Sequence, residues 1–255
     1  MHQYNYQEII IEITRRCNMT CEHCLRGEAQ AKDMPQEYIK KMVEHIDYLG
    51  HLTISGGEPL LNIDGIRFLM DELEYNHVHI GCIDITTNGL IFNDEVLKLL
   101  MDIHAYPYQE EIDQDFPFFQ IQVSNDTFHD NEICRLDKYE QFEQNLKKFD
   151  FLKCYSRRDR LNPSYLIKEG RAKENGQRDL YSYSEIDIDF DDETVWIETD
   201  SLYLNCKGNF IIGCDFSYES QDKNVLCHVD QWDDYIENLA DEEREFDKEP
   251  EQILA

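Results

Sequence analysis

Along the first half of the chain, short β-branched apolar runs alternate with stretches whose apolar residues recur at helical spacing. Glu8-Ile9-Ile10-Ile11-Glu12-Ile13-Thr14 is mostly apolar, the character of a parallel strand buried on both faces. From Pro35 to Tyr48, the positions Tyr38, Met42, Ile46 and Leu49 predict a helix, and His51 to Ser55 a short strand. The alternation continues with a helix near 63–75, a strand at 78–86, a helix at 94–102, a strand at 118–124 and a helix near 139–149. Such alternation predicts right-handed βαβ units, giving a partial (βα)6 barrel of parallel strands, with the active face at the strand C-terminal ends.

Beyond residue 151 the pattern changes. Ile186-Asp187-Ile188-Asp189-Phe190-Asp191 alternates with period two, as a half-exposed strand with an acidic outer face does. Leu202-Tyr203-Leu204 and Phe210-Ile211-Ile212, joined through Cys206-Lys207-Gly208-Asn209, read as a hairpin with a glycine turn. Trp232, Tyr235, Ile236, Leu239 and Phe246 outline an amphipathic helix with an acidic opposite face. The expected organisation is a barrel over 1–172 and a small antiparallel extension with an acidic helix over 173–255.

Charge narrows the partners. Lys plus Arg number 24 against 54 Asp plus Glu, a formal net charge of −30. A nucleic-acid backbone is a poor partner for such a surface, because phosphates need clustered cations. The most basic stretch, Lys153 to Lys173, is a solvated loop or a local anion-attracting segment. No apolar stretch of membrane-spanning or signal length is seen, so the expectation is a cytoplasmic protein without membrane association. Nine cysteines fit metal ligation or free thiols better than a disulfide framework.

Three of them, Cys17, Cys21 and Cys24, fall in one loop after the first strand. Three thiolates can hold three corners of a cubane cluster and leave one iron open, whereas an electron carrier normally supplies four. A zinc site completed by His23 or a distant cysteine, or three ordinary thiols, are the alternatives. One βα unit later stands Gly56-Gly57-Glu58-Pro59. By itself this is a turn, but its glycines allow a close backbone approach and Glu58 can accept a hydrogen bond from an ammonium.

With both motifs in that order, residues 8–172 resemble the radical S-adenosylmethionine (SAM) superfamily, whose signature is CxxxCxxC followed by GGEP. The resemblance implies a 4Fe-4S cluster on Cys17, Cys21 and Cys24, with His23 at the usual aromatic position. It implies that Gly56, Gly57, Glu58 and Pro59 hold the methionyl amino group of SAM, and that Asn88 and Ser124 approach its ribose or carboxylate. Otherwise Asn88 marks a turn and Ser124 a helix cap. The implied activity is reductive cleavage of SAM to a 5′-deoxyadenosyl radical that takes hydrogen from a substrate, a peptide or protein, or else a small metabolite. An electron donor such as flavodoxin or ferredoxin would supply the reducing equivalent. Where many members carry Asp-Gly after the serine, this chain has Asn125-Asp126-Thr127. Arg135, His129 and Gly170-Arg171-Ala172 resemble later SAM-contacting segments.

Some relatives bind auxiliary clusters in a C-terminal extension. Cys206, Cys214 and Cys227, with Cys154 as a fourth, loosely resemble that arrangement, although the spacing is incomplete and ordinary thiols are the simpler reading. Cys82 and Cys134 read as structural. A competing class is an iron-sulfur or zinc protein that does not cleave SAM.

Overall fold

The computed structural model describes residues 3–110, 117–124, 135–156, 166–179, 186–191, 194–199 and 201–246, with backbone alone at 135–139, 190–191 and 241–246. Strand β1 (Gln3–Thr14) begins five residues before the predicted start. It is the centre of the sheet, flanked by β2 (Ile46–Gly56) on one side and by C-terminal strands on the other. Helix α1 (Gln36–Val43) leads into β2, then α2 (Ile63–Tyr75), β3 (His79–Thr87), α3 (Asp94–His104), β4 (Phe119–Val123), α4 (Arg135–Leu146) and β5 (Lys153–Ser156) follow. The helix expected to reach Tyr48 stops at Val43. Ile46 and Leu49 do fit a helical stripe, but pairing of Tyr4 with Ile46 and of Tyr6 with Leu49 draws them into β2.

Strands β1 to β5 pair in parallel and in sequence order, as βαβ connections require. The rest of the sheet comes from the C-terminal third: β6 (Asp187–Asp191), β7 (Thr194–Glu198), β8 (Leu202–Leu204), β9 (Asn209–Ile212) and β10 (Cys227–His228). The expected hairpin is β8–β9, antiparallel with Leu204 opposite Phe210. It continues the main sheet, because β8 runs parallel to β1 with Ile9 opposite Leu202 and Ile11 opposite Leu204. β7, which the periodicity did not reveal, also pairs parallel to the start of β1 and antiparallel to β6. The parallel run is thus six strand positions wide and the sheet stays open, a partial barrel.

The two faces of this sheet differ. Ile9, Ile11, Ile13, Leu52, Ile54, Ile83, Ile85, Ile121 and Val123 join the main core with Leu69, Leu73, Leu99 and Ile103 of α2 and α3. The alternate residues face the concave side. Helix α6 (Trp232–Phe246) packs by Trp232 and Ile236 against β1, where Trp232 Nε1 donates to Tyr6 Oη at 2.7 Å and Tyr4 Oη donates to Asp233 at 2.7 Å.

Candidate active site

The cysteine loop leaves β1 at Thr14 and returns beside it. Arg15 N donates to Lys32 O, Gln30 N to Arg15 O and Met34 N to Ile13 O, so both loop ends are pinned to the strand. Within it, Cys24 N donates to Cys21 O at 3.1 Å and Gly27 N to Cys24 O at 3.3 Å, tight turns that bring the second and third cysteines round to one side. A buried polar knot anchors the base. Arg15, 1% exposed, donates from Nε to Glu12 Oε1 at 2.5 Å and from Nη2 to Gln221 Oε1 at 2.5 Å. Tyr203 Oη, Gln221 Nε2 and Cys206 N complete the donors around Glu12. A carboxylate this deeply buried is tolerable only with such full pairing.

The Gly-Gly-Glu-Pro segment lies directly against that loop. Gly57 N donates to Thr14 O and Glu58 N to Arg16 O, each at 2.8 Å. A Cβ on Gly56, whose φ is +152°, would stand 2.3 Å from Thr14 O, and one on Gly57 would stand 2.3 Å from Arg16 O. Both glycines are therefore required by the backbone of the cysteine loop, before any ligand is considered. Glu58 is fully buried. Its Oε1 accepts from Leu60 N at 3.1 Å and Thr87 Oγ1 at 2.7 Å, and its Oε2 accepts from Asn88 N at 2.7 Å. Burial outweighs these bonds and pushes its pKa up to about 7. Its carboxylate staples the end of β2 to the end of β3. Pro59 is likewise buried and opens a short 3-10 turn, Pro59–Leu61.

Asn88 and Ser124 end adjacent strands, with Ser124 N donating to Thr87 O at 2.9 Å. Asn88 Nδ2 donates to Asn18 Oδ1 at 2.7 Å, linking the end of β3 to the cysteine loop, while its Oδ1 accepts from Leu90 N. The turn reading and the site reading of Asn88 thus coexist. Gly170, at φ +54°, is pressed against Leu25 O, and Arg171 N donates to Cys24 O at 2.9 Å, so this segment buttresses the far end of the loop. Arg135 is described only as backbone, and His129, Asn125, Asp126, Thr127 and Cys134 lie outside the described residues.

Cys17, Cys21, Cys24, Gly56, Gly57, Asn88 and Ser124 all line one cavity of about 460 Å³ on the concave face, open to solvent. That volume falls within the range of small-molecule sites. Among the described residues, no three His, Cys, Asp or Glu side chains converge as a single-ion site, and this holds for the N-terminal and C-terminal cysteines alike. What separates the two sets is the shared cavity. Cys206 is buried with its Sγ donating to Glu12 O, Cys227 packs in the main core, and only Cys214 reaches the cavity wall. Burial raises the Cys17 thiol above its ordinary pKa and pushes that of Cys154 up to about 11.

The family model of the radical SAM superfamily matches residues 11–150. The chain belongs to the radical SAM superfamily. This radical SAM chain is 26% identical over 101 residues to uncharacterized protein MJ0907 of Methanocaldococcus jannaschii, covering 38% of the chain and 35% of that protein. It is 33% identical over 102 residues to GTP 3′,8-cyclase of Clostridium botulinum strain Okra, covering 36% of the chain and 30% of that enzyme. It thus spans about a third of the length of these curated relatives. Among solved structures, native anSMEcpe with bound AdoMet and Cp18Cys peptide aligns at a TM-score of 0.45 and 19% identity, covering 60% of this chain and 42% of that one. Membership in that superfamily implies a 4Fe-4S cluster and SAM as the cofactors. The residues fit such a pair: three thiols free of disulfides share a cavity with glycine backbone and the polar ends of β3 and β4. No helix among the described residues is long and apolar enough to cross a membrane.

Sequence reasoning missed the rest of the cavity wall. Glu8, His51, Thr53, Asp84, Thr86, Gln122 and Ser201 line it as well. The signal was present: Glu8, Ile10 and Glu12, then His51, Thr53 and Ser55, then Cys82, Asp84 and Thr86 are alternate positions of three adjacent strands.

Proposed function

We propose that Cys17, Cys21 and Cys24 ligate the 4Fe-4S cluster, that SAM binds beside them along Gly56, Gly57, Asn88 and Ser124, and that the substrate is a peptide or protein side chain. The observation that carries the reading is the single open cavity shared by those seven residues. When bound, the cluster supplies the electron for reductive cleavage of SAM to a hydrogen-abstracting 5′-deoxyadenosyl radical.

The chain's own contribution is binding, orientation and shielding. The turns at Cys21 and Cys24 present the thiols, and the Glu12–Arg15 pair fixes the loop that carries them. Gly57 lines the cavity without a side chain, and the Asn18–Asn88 bond holds the cysteine loop against the end of β3. Ile10, Met19 and Leu25 give the cavity apolar walls that displace water from a reactive species. An open mouth suits a side chain delivered on a longer chain.

Anaerobically reconstituted protein tests the ligand assignment. Wild type should give the electron paramagnetic resonance signal of a reduced cluster, perturbed by added SAM, and Cys17→Ala should lose both the iron and the perturbation. Cluster retention by the Cys17→Ala, Cys21→Ala and Cys24→Ala variants would remove the assignment.

A further inference from the structure

Below the cysteine loop the same cavity has a second, differently built level. Glu8 stands opposite His51 across β1 and β2, Thr53 opposite Asp84 across β2 and β3, and Thr86 opposite Gln122 across β3 and β4. His51 lies five residues before Gly56, and Asp84 four before Asn88, so this level is some ~13–16 Å down the strands from their C-terminal ends at about 3.3 Å per residue. His51 bridges two carboxylates, with Nε2 3.2 Å from Asp84 Oδ2 and Nδ1 3.6 Å from Glu8 Oε1. Ser201 Oγ donates to Glu8 Oε2 at 3.3 Å and Gln122 Nε2 donates to Asp84 Oδ2.

One atom is left over. Asp84 is 3% exposed and lines the cavity, and its Oδ1 has no hydrogen-bond partner. An unpaired carboxylate oxygen in a low-dielectric wall is costly unless a donor arrives to meet it. Burial pulls the His51 pKa down, but hydrogen bonds to Asp84 and Cys82 outweigh this and hold it up at about 10, so the imidazole is a cation at neutral pH. The charged groups on the cavity are then Glu8, Asp84 and Asp215 against His51 and Arg26, one negative charge in excess. That balance, with the unpaired acceptor on Asp84, selects a cationic hydrogen-bond donor.

We infer that Asp84, held by Gln122 and charge-balanced by His51, is the anchor for a protonated primary amine of the substrate, held on the floor of the cavity below the SAM level. The inference rests on the proposed function above, since it takes the upper level of the cavity as occupied by the cofactors. A carboxylate accepting from an ammonium is a charge-assisted bond, and its loss should weaken binding about ten-fold or more.

Calorimetric titration of the reconstituted, SAM-bound protein tests it, with acetyl-Gly-Lys-Gly-amide and n-butylammonium as probes and the norleucine peptide and n-butanol as uncharged controls. Wild type should bind the charged probes and not the controls. Asp84→Asn should weaken the charged probes about ten-fold while leaving SAM affinity unchanged. His51→Gln, which removes the compensating cation, should tighten them, and this opposite sign cannot arise from general damage to the fold. Equal binding of charged and neutral probes, unchanged amine affinity in Asp84→Asn, or loss of SAM affinity in that variant would overturn the inference, the last by assigning the carboxylate to the cofactor. Formation of 5′-deoxyadenosine by wild type is scored separately, so failure there counts against the radical SAM reading of the site and failure of amine selectivity counts against this one.

Discussion

Glu58 illustrates how one residue of a signature motif can serve structure and site together. Three donors from the ends of β2 and β3 surround its carboxylate, yet burial still raises its pKa to about 7. Between the unfolded value near 4.5 and the folded value near 7, the folded protein holds a proton that the unfolded chain releases. Stability from this group is therefore fully present below pH 4.5 and is lost as pH rises through 7. The variant Glu58→Gln has no such proton to lose. Urea denaturation at pH 5 and pH 8 should show wild type gaining on the variant at the lower pH, by up to ~3 kcal/mol for a shift of this size. A wild-type advantage that does not change with pH would remove the burial argument. The motif itself was legible in the sequence, but the direction in which its carboxylate points was not. That direction depends on Thr87 and Asn88, some thirty positions away and brought alongside only by the β2–β3 pairing.

At the scale of elements, the parallel strands and their order follow from the periodicity, and the chemistry of their two faces does not. β1 was read as buried on both faces, and it is: Ile9 and Glu12 are both inaccessible. Yet one face carries Ile9, Ile11 and Ile13 into the helical layer, and the other presents Glu8 and Ile10 to the cavity and Glu12 to Arg15. A run rich in isoleucine hides its polar alternates, because only the register with β2 and β3 gathers them. The Glu12–Arg15 knot belongs to this scale, since it ties β1 to the β8–β9 turn and to Gln221 of the short helix α5 (Tyr218–Gln221). Arg15→Met should cost about 3–5 kcal/mol, because it leaves a buried carboxylate without its cation. Adding Glu12→Gln should restore part of that loss in chemical denaturation. Additive losses in the double variant would mean that packing, rather than the ion pair, carries the effect.

For the whole molecule, the C-terminal third completes the sheet that the N-terminal half begins. β8 covers one edge of β1, and α6 seals its start through Trp232. The hairpin and acidic helix were visible in the sequence; their attachment to β1 was not, because pairing across nearly two hundred residues leaves no local signature. A chain ending at residue 200 should lose cooperative unfolding by circular dichroism, and a sharp transition in that truncated chain would show that the N-terminal strands stand alone. The chain carries a net charge of −30, while the charged residues that line the cavity are near balance. The proposed role of this cavity is to bring a three-cysteine cluster and SAM together for radical chemistry. Anaerobic incubation of the reconstituted protein with SAM and dithionite, followed by chromatography for 5′-deoxyadenosine, tests it most directly. Wild type should yield 5′-deoxyadenosine and Cys21→Ala none; a fully loaded wild-type protein that leaves SAM intact would contradict that role.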